Sequence, residues 1–323
     1  MSVFSIITPV FNGADFIAET IKSVLTNASG SDFEYIVVDD GSTDSTPTIL
    51  ESFKDQIKYV RQENKGQASA INNGLALALG RYCLVVNSDD PLVSPELFRK
   101  SQELLDANPN IAVTYPDWAL IDANGKKLEE IKVKEFSLDE LVGRFNCLVG
   151  PGGVFRSSQA KEIGGWDSNF RFVPDYDFWL KLVAFGEFKR IPEVLAVWRS
   201  HGNSISIGSR GLEMSKERVA VIENYLKRSP ATPIELQRMA TSNSLYRAAV
   251  LNYFDSRVEG RKLIGRSIKA RPRIILEQNK LVTLYLLLTP LSSLAMRIAK
   301  RLFPLSNLEN RLRRSLKSSQ GLC

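Results

Sequence analysis

The sequence predicts an α/β fold, a mostly parallel sheet flanked by helices, with a helical C-terminal region. Three observations lead there. Over the first 90 residues, short β-branched runs alternate with helical periodicity, the signature of a parallel sheet covered on both faces. After about residue 110 strand-like runs and a hairpin signal follow, and beyond about residue 210 only helical periodicity remains. The 323 residues are 44% hydrophobic and 24% charged, which supplies a large core and excludes disordered, collagen-like and coiled-coil classes.

Element by element, Val3–Thr8 and Tyr35–Val38 read as buried strands, with Ile17, Ile21, Val24 and Leu25 at helical spacing between them. Ser45 and Pro47 mark the cap and first turn of a second helix. Ile57–Val60, Ala68–Leu79 and Tyr82–Val86 follow as strand, helix and strand. Ser94-Pro95-Glu96 then opens a helix whose apolar set includes Leu97, Leu104 and Leu105. Ile111–Tyr115 and Trp118–Ile121 are strand-like, and Ala123-Asn124-Gly125 is a hairpin turn signal. Ser137-x-x-Glu140 is a capping box, Tyr176–Phe185 a helix and Val194–Trp198 a strand. Glycines and polar residues cluster near 203–212, which divides the chain into 1–207 and 208–323. Turns are expected near Ser229-Pro230, Gly260 and Arg271-Pro272.

Composition narrows the chemistry. His201 is the only histidine, so mechanisms needing two are excluded. Three cysteines without metal-type spacing argue against a disulfide scaffold or a Cys-rich zinc site, and a reducing, cytoplasmic compartment fits. The opening MSVFSIITPVFNG lacks a basic n-region and reads as a strand, not a signal peptide. Leu281–Met296, uncharged but interrupted by Pro290, falls short of the roughly 20 apolar residues of a spanning helix. Residues 255–323 carry a net +11 against −5 for residues 1–254, a basic tail on an acidic body. Neither GxxxxGK[ST] nor a GxGxxG after the first strand is present, which removes the main support for kinase-type and dinucleotide readings.

Ligands of open α/β sheets bind at the carboxyl ends of strands. Three polar clusters fall there: Thr8-Pro9-Val10-Phe11-Asn12, Asp39-Asp40-Gly41-Ser42-Thr43-Asp44 and Asn87-Ser88-Asp89-Asp90. Each alone could be turn chemistry. Two acidic pairs at adjacent strand ends repel and need donors or a hard divalent cation, of the kind that bridges carboxylates to phosphates.

In order along the chain, TPVFN, VVDDGSTDST, ENKGQASAINNGL, NSDD, GGWD, DYDFWLKL and WRSHGNSIS resemble a bacterial family 2 glycosyltransferase with the GT-A fold, over roughly residues 3–206. The resemblance implies an inverting transfer from a nucleotide-diphosphate sugar, UDP by preference, with Mn2+ or Mg2+, to a saccharide or lipid-linked saccharide hydroxyl in surface polysaccharide synthesis. Thr8, Pro9, Phe11, Asn12, Asp40, Lys65, Asp89, Gly152 and Gly153 would lie on the donor side. A carboxylate at Asp40 suits the N3–H of uracil, whereas Lys65 reads equally as a phosphate or base contact and as an exposed loop lysine. Asp90 and His201 would hold the metal, although the first acid of a strict DxD is absent. Trp166 and Asp167 would shape the acceptor side. Asp175 would be the catalytic base; Pro174 stands where the family carries Glu, and Asp177 is the alternative.

Leu281–Met296 and the cations after it suggest a peripheral helix on the inner, anionic membrane surface, beside the plainer reading of a buried helix with a solvated tail. Two other functions compete. A sugar-nucleotide pyrophosphorylase would want a basic, Gly-rich loop after the first strand, which TPVFNGAD lacks. A nucleic-acid binder would want aromatics among the tail's basic residues, where they are few, so no nucleic-acid partner is expected.

Overall fold

A computed structural model describes residues 2–201, 211–252 and 256–277. The chain divides into two units, residues 1–136 with 148–204, and residues 137–147 with 205–323. The excursion at 137–147, assigned to the second unit, has no counterpart in a single division at residue 207.

The first unit is one eight-stranded sheet. Its strands are β1 (Phe4–Val10), β2 (Phe33–Asp39), β3 (Lys58–Arg61), β4 (Tyr82–Val85), β5 (Ile111–Ile121), β6 (Lys127–Ile131), β7 (Val154–Arg156) and β8 (Glu187–Arg199). The order is β3-β2-β1-β4-β7-β5-β6, with β8 on the other edge of β5. Strands β3, β2, β1 and β4 run parallel. β7 is antiparallel to both β4 and β5, so β5 and its parallel partner β8 share the direction of β4. Only β6 and β7 are reversed.

Helices cover both faces because the strands are apolar on both. On one, Phe4, Ile6 and Val10 of β1 and Val37 of β2 pack with Ile17, Ile21 and Val24 of α1 (Ile17–Asn27). On the other, Gly74 of α3 (Gln67–Leu77) sits against Ile7, where an added Cβ would come within 2.5 Å of the isoleucine. α2 (Thr46–Glu51), α4 (Glu96–Ala107), α5 (Ser157–Glu162) and α6 (Pro174–Leu182) complete this unit.

Two expectations change. The runs Ile111–Tyr115 and Trp118–Ile121 are one strand, β5, which continues through Pro116 by shifting register against β8 between Pro116 and Trp118. β8 begins at Glu187, seven residues before the apolar run that announced it. Its first half carries Lys189, Arg190, Pro192 and Glu193 and pairs with β5 alone, as an edge strand that can spare the proline N–H.

In the second unit, α7 (Gly211–Arg228), α8 (Ile234–Asn252), α9 (Arg257–Ala270) and α10 (Ile274–Glu277) follow one another. α8 and α9 meet across Ser242 and Ser267, each hydroxyl donating to the other's carbonyl at 2.9 and 2.7 Å. Gly260 lies inside α9, so the turn expected there is absent. The capping-box segment forms a π-helical turn, Asp139–Gly143, with the Glu140 amide donating to Ser137 Oγ at 3.1 Å. Asn243 donates to the Gly143 carbonyl at 2.9 Å. Among the described residues no helix is long and apolar enough to cross a membrane. Leu281–Met296 and the basic residues after it lie outside the described residues.

Candidate active site

The strand directions decide where the site is. β1, β2, β3, β4, β5 and β8 end at the same edge of the sheet, and β7 begins there. The loops after β1, β2, β3, β4 and β8 and the Gly150–Gly153 turn before β7 therefore gather at one edge. Every site residue expected from the sequence falls in the first unit.

The first two loops are stitched together. Asn12 adopts φ 50°, and its Oδ1 accepts from the Thr43 and Asp44 amides at 2.8 and 3.3 Å while its own amide donates to Ser42 Oγ at 2.9 Å. Asn tolerates this left-handed conformation better than most residues. The stitching leaves Phe11 standing out, 48% exposed. The Thr8 hydroxyl, by contrast, is enclosed in the core and bonded to Tyr35 Oη at 3.0 Å, so this side chain offers nothing to a ligand. Pro9 is likewise buried within β1.

Asp40 organises the loop after β3. Its Oδ1 accepts from Gln62 Nε2 at 2.8 Å and the Lys65 amide at 2.9 Å, and its Oδ2 from the Gly66 amide at 2.8 Å. A carboxylate has about four acceptor positions, so one on Oδ2 remains. The Lys65 side chain is exposed. The neighbouring Asp39 is fully buried and serves the fold, binding the Ser42 amide at 2.8 Å and facing Arg61 at 3.5 Å.

The second acidic pair is split between two environments. Asp90 points inward: its Oδ1 accepts from the Arg199 amide at 2.7 Å and its Oδ2 from Asn87 Nδ2 at 3.0 Å. Burial, and then the charge of Asp89, push its carboxyl up to about 8. Asp89 is the open member, with its Oδ2 2.7 Å from His201 Nε2. The geometry thus joins His201 with Asp89 and turns Asp90 toward the strand end. Among the described residues no group of three or more His, Cys, Asp or Glu gathers as a metal cage. The open Asp89 carboxylate fits a hard divalent ion that keeps most positions for water and phosphate, and a neutral His201 Nε2 beside it is a further nitrogen donor.

Three expected residues are tightly packed. Trp166 is 4% exposed, and its ring stacks on Phe178 at 3.6 Å and 11°, so neither face is free for a sugar. Gly152 has φ +83°, and a Cβ there would lie 2.9 Å from Ala196 Cβ and Pro116 Cγ. At Gly153 a Cβ would meet Val149 Cγ1 at 2.4 Å. Tight packing, on β5 and β8 for Gly152 and on Val149 and Trp179 for Gly153, is thus a sufficient reason for both glycines. Asp167 is half-buried and its Oδ1 caps the Asn169 amide at 2.9 Å.

The α6 carboxylates are sharply distinguished. Asp177 is fully buried and ion-paired with Lys181 at 2.7 Å. Asp175 is half-buried in the first turn of α6, where Oδ1 accepts the Tyr176 amide at 2.8 Å. Asp117 is taken by Arg190 in a two-pronged pair, at 2.9 and 2.7 Å. A surface cavity of about 530 Å³ at the opposite edge holds Arg81, Arg156 and Lys161, all committed: to Asp106, to backbone carbonyls, and to the Ala78 carbonyl.

The sequence assigns no role to the Gln62 and Gln67 side chains, amides that tie these loops, and places Asn87 only within a polar cluster. Gln67 Nε2 donates to Asn87 Oδ1 at 3.1 Å. Their only signal was position after a strand.

A family description, glycosyl transferase family 2, matches residues 5–147. The chain is 31% identical over 231 residues to an uncharacterized glycosyltransferase of Rickettsia typhi, covering 69% of this chain and 71% of that protein. It is 28% identical over 220 residues to a chondroitin synthase of Escherichia coli, covering 66% of this chain and 31% of that protein. Three further Rickettsia relatives are longer, and the chain spans 37% to 44% of their length. Among solved structures, S. aureus TarS 1–349 in complex with UDP-GlcNAc has a TM-score of 0.63 at 19% identity, covering 85% of this chain and 83% of that one. The mannosyltransferase PcManGT from Pyrobaculum calidifontis in complex with GDP-Man and Mn2+ has a TM-score of 0.58 at 14% identity, covering 99% and 87%. These two likenesses bear on the fold alone, which is that of GT-A glycosyltransferases. With its sequence motifs, its sheet-edge site and these relatives, the chain belongs to glycosyltransferase family 2.

Proposed function

We propose that this glycosyltransferase moves a sugar from a UDP-sugar to a hydroxyl of a saccharide or lipid-linked saccharide in surface polysaccharide synthesis, with inversion and with Mn2+ or Mg2+. The observation that carries the reading is the single sheet edge where an enclosed Asp40 carboxylate and the Asp89–His201 pair both sit. Asp40, held by three donors, has one acceptor position left for the N3–H of uracil, and the exposed Phe11 ring after β1 offers a face for a base. The chondroitin synthase likeness supports a saccharide acceptor, and the UDP-GlcNAc bound by TarS supports the donor class.

Asp89 and His201 would hold the divalent ion, with Asp90 fixing the strand end behind them. When bound, that ion supplies positive charge against the diphosphate leaving group. Asp175 takes the proton of the acceptor hydroxyl. The oxygen attacks the anomeric carbon from the face opposite the diphosphate, the new C–O bond forms as the old one breaks, and UDP departs with the electron pair. One displacement inverts the anomeric centre.

Thermal unfolding with a nucleotide panel tests this. UDP and UDP-sugars should raise Tm, more so with Mn2+ present, because a ligand bound only by the folded state stabilises it. Asp40→Ala should weaken UDP by roughly 1–3 kcal/mol, the scale of a lost hydrogen bond with a charged partner. Stabilisation by GDP in preference to UDP would overturn the donor assignment.

A further inference from the structure

A buried guanidinium is costly unless its donors are met and its charge is compensated. Arg199, at the end of β8, is 1% exposed. Its Nε donates to the Asp89 carbonyl at 2.8 Å, Nη1 to the Ala123 carbonyl at 2.9 Å, and Nη2 to Glu19 Oε2 at 2.9 Å. Its amide holds Asp90 Oδ1 at 2.7 Å. The guanidinium lies 4.9 Å from the centroid of the Phe16 ring, and that ring in turn lies 4.9 Å from the His201 imidazole. One side chain thus ties α1, the loop after β4 and the turn after β5; it touches Asp89 directly and meets His201 through the Phe16 ring.

We propose that Arg199 is a positioning residue which, braced by Glu19 and Phe16, sets Asp89 and His201 face to face. This rests on the reading of those two groups as the diphosphate side of the site. Holding β8 in the sheet requires only its ladder to β5. The bond to the Asp89 carbonyl and the ring shared with His201 are contacts that such a role leaves unexplained. Lysine keeps the charge, but its single ammonium cannot reach three divergent acceptors as the planar fork does.

The lone histidine makes the test direct. In untagged full-length protein, the only imidazole C–H signals belong to His201. Mn2+ is titrated in the presence of UDP, and paramagnetic broadening of those signals is read beside thermal unfolding. In the wild type, low Mn2+ should broaden them. Glu19→Ala and Arg199→Lys should shift the imidazole signals before any metal is added. They should also need on the order of tenfold more Mn2+ for the same broadening, the equivalent of one charge-assisted hydrogen bond. Should Arg199→Lys fail to fold, Glu19→Gln decides with the same expected shift and weaker broadening, since that side chain is 53% exposed and its amide oxygen still accepts from Nη2 while the countercharge is removed. Folded variants with unshifted signals and wild-type broadening would overturn the positioning role while leaving the site reading intact. Absence of broadening in the wild type would overturn the site reading and this inference with it.

Discussion

At the scale of single residues, environment separates groups that look alike in sequence. Asp175 and Asp177 stand two apart on one helix, and spacing alone says only that they face different ways. Burial separates them further: Asp177 is enclosed and paired with Lys181, and Asp175 is half-buried at the helix start. We therefore expect Asp175→Asn to retain Tm and UDP affinity while transfer falls about 10²–10⁴-fold, the usual contribution of a general base. Asp177→Asn should behave oppositely, losing roughly 1–3 kcal/mol of stability as a buried charged partner goes while the folded fraction keeps its turnover. Radiolabelled sugar transfer and denaturant unfolding of the two variants measure this, and a dead but stable Asp177→Asn would exchange the roles. The same distinction shows what the sequence could not disclose. Asp89 and Asp90 are adjacent acids after a strand, and only the turn beyond β4, where the Asp90 amide donates to the Asn87 carbonyl at 3.2 Å, sends one toward β8 and the other toward His201. Trp166 shows a related limit: an aromatic in a loop motif serves a sugar or a core equally well, and Phe178, on which its ring stacks, lies in another element.

At the scale of elements, strands with an apolar run are legible in the sequence, and a charged strand half is not. β1, β2 and β4 are buried and announce themselves, whereas the first half of β8 alternates exposed charge with Phe188 and Ile191. Motif order was legible because the polar clusters follow strands directly. The meeting of those clusters depends on strand direction, which no local window contains. The Gly150–Gly153 turn illustrates the difference between a glycine needed for a ligand and one needed for packing. Gly152 combines φ +83° with neighbours 2.9 Å from any Cβ. Gly152→Ala should then cost about 1–3 kcal/mol from backbone strain, with a further loss as the turn lifts from Pro116 and Ala196. Urea unfolding would check it. A variant as stable as the wild type would return the glycine to a role in ligand approach.

At the scale of the whole molecule, charge is segregated along the chain. The body that carries the site is acidic and the last residues are strongly basic. Residues 281–323 contain seven Lys and Arg against one acid, together with the uncharged run Leu281–Met296. Near an anionic bilayer each such cation contributes about 1 kcal/mol, and burial of apolar side chains adds to it. An acidic body by itself is repelled by the same surface, so any attachment would depend on the tail. Full-length protein should co-sediment with vesicles of mixed phosphatidylserine and phosphatidylcholine at low salt and lose most binding as ionic strength shortens the Debye length toward 8 Å or less. Deletion of residues 281–323 should release it without changing UDP affinity, because the residues proposed to contact the nucleotide lie at the sheet edge of the first unit. If the full chain stays in the supernatant at low salt, the acceptor must be met in solution, and a lipid-linked saccharide loses its main support. Retention that survives high salt would assign the attachment to the apolar run instead of the cations.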